Sequence, residues 1–296
     1  MSTLLLPFED LHFVPSGGLT ERALRLLEGG PMPTAEVAAR VLGVTSGAGA
    51  AATAVFTLLG GDRRFAVSSE GVWSLAVPEV PPAPSAGAPL RSLRDEEWVV
   101  VDLETTGGTP LRGHRVTEVA AVHVSGGRIT HTYSTLVNPE RPIPSMITSL
   151  TGITQGMVAG APRFHEVAGR VRDAIAGRVF VAHNAAFDWR FLGHEMEHAT
   201  GCRPAGRQLC TVRLARKLLP ELPSRSLDAL SLYFGVEIES RHRALDDAVA
   251  TAHVLLRLLD MLEERGAADW EGLEIVLGRR AKRKKRTASP KSMEAA

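Results

Sequence analysis

The sequence predicts an α/β domain preceded by a smaller module of helices and one hairpin. From Trp98 onward, strand-like apolar runs alternate with helix-period segments, whereas before Val77 helical patterns give way to two short strand patterns. A Pro/Ala/Gly stretch separates the two regions. At 44% hydrophobic and 23% charged over 296 residues, the chain has the composition of a globular protein with apolar material for one or two cores.

Thr20–Leu27 and Thr34–Leu42 each begin at a threonine suited to N-capping and run into glycine, and Ala48–Leu59 reads as a third helix. Arg64–Val67 and Val72–Leu75 then flank Ser-Ser-Glu-Gly, a hairpin signal. Three helices followed by a hairpin resembles a winged-helix module, assigned to residues 1–76. Its third helix carries no basic residue, and only Arg63 and Arg64 at the hairpin are placed to meet phosphate. Packing or protein interaction is therefore expected of the module rather than base reading. VPEVPPAPSAGAP opens a semi-rigid linker over residues 77–96, and the main domain spans 97–277.

In the main domain, Trp98–Leu103, Val116–Val124 and Ile129–Val137 are predicted strands, the first a continuous apolar run typical of a sheet centre. A further buried strand is expected at Arg178–Ala182. Helices are expected at Phe164–Ala176, Asp188–His198, Thr211–Leu219, Leu227–Phe234 and Leu245–Glu264, the last with a leucine stripe read as core packing.

The net charge of +1 conceals an asymmetry: residues 1–90 carry 5 basic and 8 acidic side chains, whereas 8 basic residues face a single Glu294 from Arg279 onward. Residues 278–296 are read as a flexible cationic tail, first as an arm that attracts nucleic-acid phosphate, with a merely solvated tail or a nuclear import signal as the alternatives. No apolar run approaches the ~20 residues of a membrane helix, and MSTLLLPFED lacks a signal-peptide pattern. A cytoplasmic location without membrane contact is expected. Cys202 and Cys210 are too few for a disulfide framework and are read as free thiols.

The chemistry concentrates in three segments. WVVVDL ends in Asp102-Leu103-Glu104-Thr105-Thr106-Gly107, and strand alternation puts Asp102 and Glu104 on one face, ~7 Å apart along the chain. Two carboxylates at the end of an apolar strand suit a hard cation. VFVAHNAAFD leaves a strand and enters a helix with Asp188 in its first turn, where Asn184 reads as the N-cap. HRALDD opens the long last helix, so His242 and Asp247 can border one cleft, with Asp246 as the competing acid.

Together DLETTG, HNAAFDWRFL and HRALDDAVATAHVLL resemble the three motifs of the DnaQ-like (DEDDh) 3′→5′ exonuclease family, and NPERPIPSMITSLTGIT resembles its intervening segment. The resemblance spans about residues 97–262 and implies a ribonuclease H-like α/β fold, a mixed central sheet with flanking helices. It implies Asp102, Glu104, Asp188 and Asp247 as ligands of two Mg²⁺ or Mn²⁺ ions and His242 as general base. It further implies that Thr105, Thr106 and Phe187 border the substrate. Similarity to the epsilon proofreading subunits of bacterial replicative polymerases favours single-stranded DNA 3′ ends, in proofreading or repair, with nucleoside 5′-monophosphates as products. It leaves room for a polymerase or repair partner at the N-terminal module. RNA trimming and a catalytically silent binding module are the competing readings. His114, His123, His131, His165, His194, His198 and His253 share no ligand spacing and are read as structural or surface residues.

Overall fold

The computed structural model describes residues 10–45, 47–62, 64–76, 92–238 and 241–278. The basic tail from Arg279, Arg63 and linker residues 77–91 lie outside the described residues. In chain order the elements are β1 (His12–Pro15), α1 (Gly18–Leu27), β2 (Met32–Pro33), α2 (Thr34–Val37), α3 (Ala48–Leu59), β3 (Phe65–Val67), β4 (Val72–Leu75), β5 (Trp98–Thr105), β6 (Val116–Ser125), β7 (Arg128–Leu136), α4 (Ser145–Thr151), α5 (Gln155–Ala159), α6 (Phe164–Ile175), β8 (Val179–Ala182), α7 (Ala186–Thr200), β9 (Cys202–Ala205), β10 (Gln208–Cys210), α8 (Thr211–Leu218), α9 (Leu227–Phe234), α10 (Ala244–Glu264) and α11 (Trp270–Val276).

The main sheet has the order β10-β8-β5-β6-β7. β10, β8 and β5 run parallel, while β6 and β7 complete it antiparallel, so the sheet is mixed. β5 is apolar on both faces because both are covered. Val100, Ala120, Val122 and Val181 pack beneath α8, α9 and α10, whereas Val99, Val101, Ala121 and Phe180 pack beneath α6 and α7. Leu255, Leu258, Leu259 and Leu262 of α10 are buried in the first of these layers, so the leucine stripe is core. Trp98 is buried at the start of β5 and donates its indole N–H to the Leu93 carbonyl at 2.9 Å. Trp98→Ala is expected to cost about 3–5 kcal/mol of stability, measurable by urea denaturation.

The N-terminal module has its own core, in which Val37, Val41, Val55, Leu59 and Trp73 are buried. Its helices and hairpin follow the expected order, and β2 adds to the hairpin to give a sheet of order β2-β4-β3. α2 widens into a π turn over residues 38–42. Thr20 and Thr34 are not N-caps; those positions fall to Gly17 and Pro33. Thr34 instead donates its hydroxyl to the Gly71 carbonyl at 2.6 Å and accepts the Trp73 indole N–H at 3.1 Å, tying helix to hairpin. Arg64 is not held ready for phosphate, because its guanidinium is bound to Asp62 and to the Pro15 carbonyl.

Two pieces of chain cross the expected boundaries. β1, which falls within residues 1–76, pairs antiparallel with β9 of the main domain, and Leu11 is buried in the α6–α7 layer. Gly206 permits this approach: at φ +131° a side chain there would meet Leu11 Cα at 2.8 Å. Residues 92–96, placed in the linker, are likewise part of the main domain, with Leu93 buried and Ser92 bridged to Asp269.

Candidate active site

Asp102 and Glu104 lie on the α10 side of β5, in line with Trp98 and Val100 and opposite Ala120 and Glu118 of β6. β8 pairs with β5 only as far as Val100 and then turns away, which leaves the Leu103 N–H without a ladder partner. Asp188, 3% exposed in the first turn of α7, accepts that N–H at 3.1 Å and so reaches the end of β5 from the other side of the sheet. Asp247, 5% exposed in the first turns of α10, completes the set. Its Oδ1 accepts from Arg241 and its Oδ2 from the His242 amide at 3.1 Å. His242 holds φ +61°, a left-handed conformation that turns the chain into the helix. Glu104, His242 and Asp247 offer ligand atoms within 4.8 Å of one another. The gathered acid is Asp247, not Asp246.

The electrostatics of this cluster suit a cation site. Burial, then the charges of Asp247 and Glu118, push the Asp102 carboxyl up to about 8 against the opposing pull of Arg241. Glu104 is pushed up to about 9 by burial and by Asp102, Asp247 and Glu118. Asp188 is raised well above the carboxylate range by burial and by Asp102, although the Leu103 N–H works the other way. Buried acids that raise one another's pKa fit an all-oxygen site for Mg²⁺ or Mn²⁺, whose charge would ionise them.

The remaining expected residues differ in availability. Thr105 is buried and donates its hydroxyl to the Gly107 carbonyl at 2.7 Å. Thr106 is fully buried: its amide donates to the Arg115 carbonyl at 2.8 Å and its hydroxyl accepts the Arg115 N–H at 3.0 Å. Thr106 thus anchors the loop through its amide and hydroxyl. Gly107 lets the His114 ring pack close, since a Cβ there would meet that ring at 2.5 Å. Phe187 is half-buried, with its ring 4.9 Å from that of Phe191. Asn184 is not the N-cap of α7; that position is Ala185, while Asn184 takes φ +70° in the preceding turn.

Sequence reading missed Glu118. Its signal was a lone carboxylate inside VTEVAAV, a run otherwise apolar except for Thr117, where a buried charge requires a partner.

The exonuclease family model matches residues 99–255, more than half of the chain. A DNA polymerase III subunit epsilon from Aquifex aeolicus is 38% identical over 171 residues, covering 58% of this chain and 84% of that protein. A DNA polymerase III subunit epsilon-like protein from Rhodobacter capsulatus is 44% identical over 185 residues, 61% of this chain and 26% of that protein. A PolC-type DNA polymerase III from Caldanaerobacter subterraneus is 38% identical over 181 residues, 13% of its length. The chain thus spans less than a third of these two longer relatives. Exonuclease X, solved in complex with 5′ overhanging duplex DNA, superposes with a TM-score of 0.50 at 29% identity over 61% of this chain and 99% of that one. With the mixed sheet and the site at the end of its central strand, these matches establish that the chain belongs to the exonuclease family.

Proposed function

We propose that this chain is a divalent-metal-dependent 3′→5′ exonuclease that removes nucleoside 5′-monophosphates from single-stranded DNA ends in the cytoplasm, in proofreading or repair. The observation that carries the proposal is that Glu104, His242 and Asp247, from two distant segments, offer ligand atoms within 4.8 Å of one another, with Asp102 raised by the charge of Asp247 and Asp188 raised by that of Asp102. Likeness to polymerase epsilon subunits supports DNA as substrate.

The four carboxylates would hold two Mg²⁺ or Mn²⁺ ions. Such ions, when bound, acidify water and offset charge on the attacking and leaving oxygens of a phosphodiester. The carboxylates orient by what already grips them: Asp188 by the Leu103 amide, Asp247 by the His242 amide. His242 takes the proton of the attacking water, a role for which an imidazole is suited near neutral pH. Thr105 and the Phe187 ring border the cleft that receives the terminal nucleotide, and the Thr106 anchor keeps that loop in place. His242→Ala is expected to lower kcat by about 10²–10⁴-fold with a smaller change in KM. Initial rates from pH 5 to 9 test this.

For the N-terminal module we propose a winged-helix-like protein-docking role toward a polymerase or repair partner. α3 carries no basic residue and leaves Phe56 47% exposed on its surface. Parallel DNA and RNA strands labelled at the 5′ end, incubated with Mg²⁺ or Mn²⁺, test substrate and polarity together. A ladder shortening from the 3′ end on DNA supports the proposal. Preferential shortening of RNA would replace the substrate, and no shortening of either strand would remove the activity.

A further inference from the structure

Glu118 stands directly across the β5–β6 ladder from Glu104, so both carboxyl groups leave the same face of the sheet. Like charges at such a pair repel, and burial of the second one without a partner would be costly. Glu118 is 4% exposed, and both its oxygens are taken by the segment that carries His242 and Asp247. Arg243 donates Nη2–H to Oε1 at 2.7 Å and Nε–H to Oε2 at 3.1 Å, a fork on a carboxylate. Ala244, the first residue of α10, donates its amide to Oε2 at 3.0 Å. One carboxylate on β6 thereby fixes the entrance of α10 by a side-chain fork and by a helix N-terminal N–H.

His242 and Asp247 lie on either side of that anchor. His242 immediately precedes Arg243 and is bound through its amide to Asp247, so movement of the helix entrance carries both residues together. Asp102 and Glu104 belong to β5 and would not follow. We propose that Glu118 is a positioning residue: through Arg243 and Ala244 it sets the distance between the β5 half of the site and the α10 half. It touches neither the substrate nor the reacting atoms. The role rests on the proposed metal-dependent exonuclease and is tested by a readout that does not need turnover.

The experiment uses the full chain, with Mn²⁺ binding followed by the EPR signal of the free ion, kcat and KM on a 5′-labelled single DNA strand, and melting without metal. Glu118→Gln is the first variant. Because breaking one half of a buried pair is itself destabilising, the second is Glu118→Gln with Arg243→Met, which removes both charges at similar volume. Both variants are expected to bind Mn²⁺ about 10-fold or more weakly. kcat should fall while KM stays within about twofold, and excess Mn²⁺ should restore part of the lost rate. The double variant should melt close to the wild type without metal, separating misplacement from unfolding. A double variant with wild-type Mn²⁺ affinity and kcat would overturn the positioning role while leaving the exonuclease reading intact. A wild-type chain that binds no Mn²⁺ would remove the metal reading itself, and the role of Glu118 with it.

Discussion

Asp102→Asn is expected to reduce exonuclease turnover by about 10³-fold or more, equivalent to ~4 kcal/mol of lost transition-state stabilisation, and at the same time to make the metal-free protein more stable. The two effects share one cause. Asp102 sits at the end of β5 where burial and the charges of Asp247 and Glu118 all disfavour its ionised form. The same crowding that burdens the metal-free fold makes the carboxylate a strong ligand for a cation. Asparagine keeps the volume and drops the charge, so the site loses a ligand while the fold loses a repulsion. A gain of ~1 kcal/mol in metal-free stability at pH 8 corresponds to a rise of about 2–4 °C in Tm for a domain of this size. Single-turnover rates and melts in EDTA measure both halves. A variant that is inactive and also less stable would point to ordinary structural damage instead.

The metal-free wild type is expected to lose stability as pH rises from about 4 to about 9, and added Mg²⁺ or Mn²⁺ is expected to reverse the loss. Asp102, Glu104 and Asp188 have native pKa values raised above their ordinary ones. Between the two values the native protein holds protons that the unfolded chain has released, so stability falls with increasing pH. Their favourable contribution is complete below the ordinary carboxylate range. It disappears as pH passes the native values of about 8 for Asp102 and about 9 for Glu104. A cation that binds only the native state at about 100 times its Kd adds ~2.7 kcal/mol. The increment should be largest at the alkaline end, where protons no longer compete for the carboxylates. Urea denaturation at pH 5, 7 and 9, with EDTA or with excess metal, checks the sign. Subtracting the Asp102→Asn curve isolates that residue's share. A metal-free protein that grows more stable toward pH 9 would contradict the proposed clustering.

The candidate acids stood out in the sequence because each lies where a local pattern changes, and the family resemblance supplied their proposed roles and that of His242. An apolar strand stops at Asp102 and Glu104, a strand hands over to a helix before Asp188, and a long amphipathic helix opens at Asp247. The strands and longer helices of the main domain were legible for the same reason, since periodicity reports burial along one element. Pairings between distant short segments were not. His12–Pro15 has no strand signal beyond its length, and its partner Cys202–Ala205 contains a proline and lies 190 residues later. α4, α5 and α11 are five to seven residues long, too short for a helical period to declare itself. The caps at Thr34 and Asn184 were misjudged because a side chain's partner depends on what packs nearby. Thr34 found the hairpin, and the turn before α7 needed a left-handed residue rather than a capping oxygen. Glu118 belongs with these, since its role depends on Arg243, 125 residues away.

In the proposed site, acids from separate segments come together to share cations. Anomalous diffraction at the manganese edge, from crystals grown with Mn²⁺, tests this most directly. The prediction is strong anomalous density enclosed by Asp102, Glu104, Asp188 and Asp247, with the His242 ring beside it, and its loss in crystals of Asp102→Asn. Manganese bound elsewhere on the protein, with that pocket holding only solvent, would contradict it.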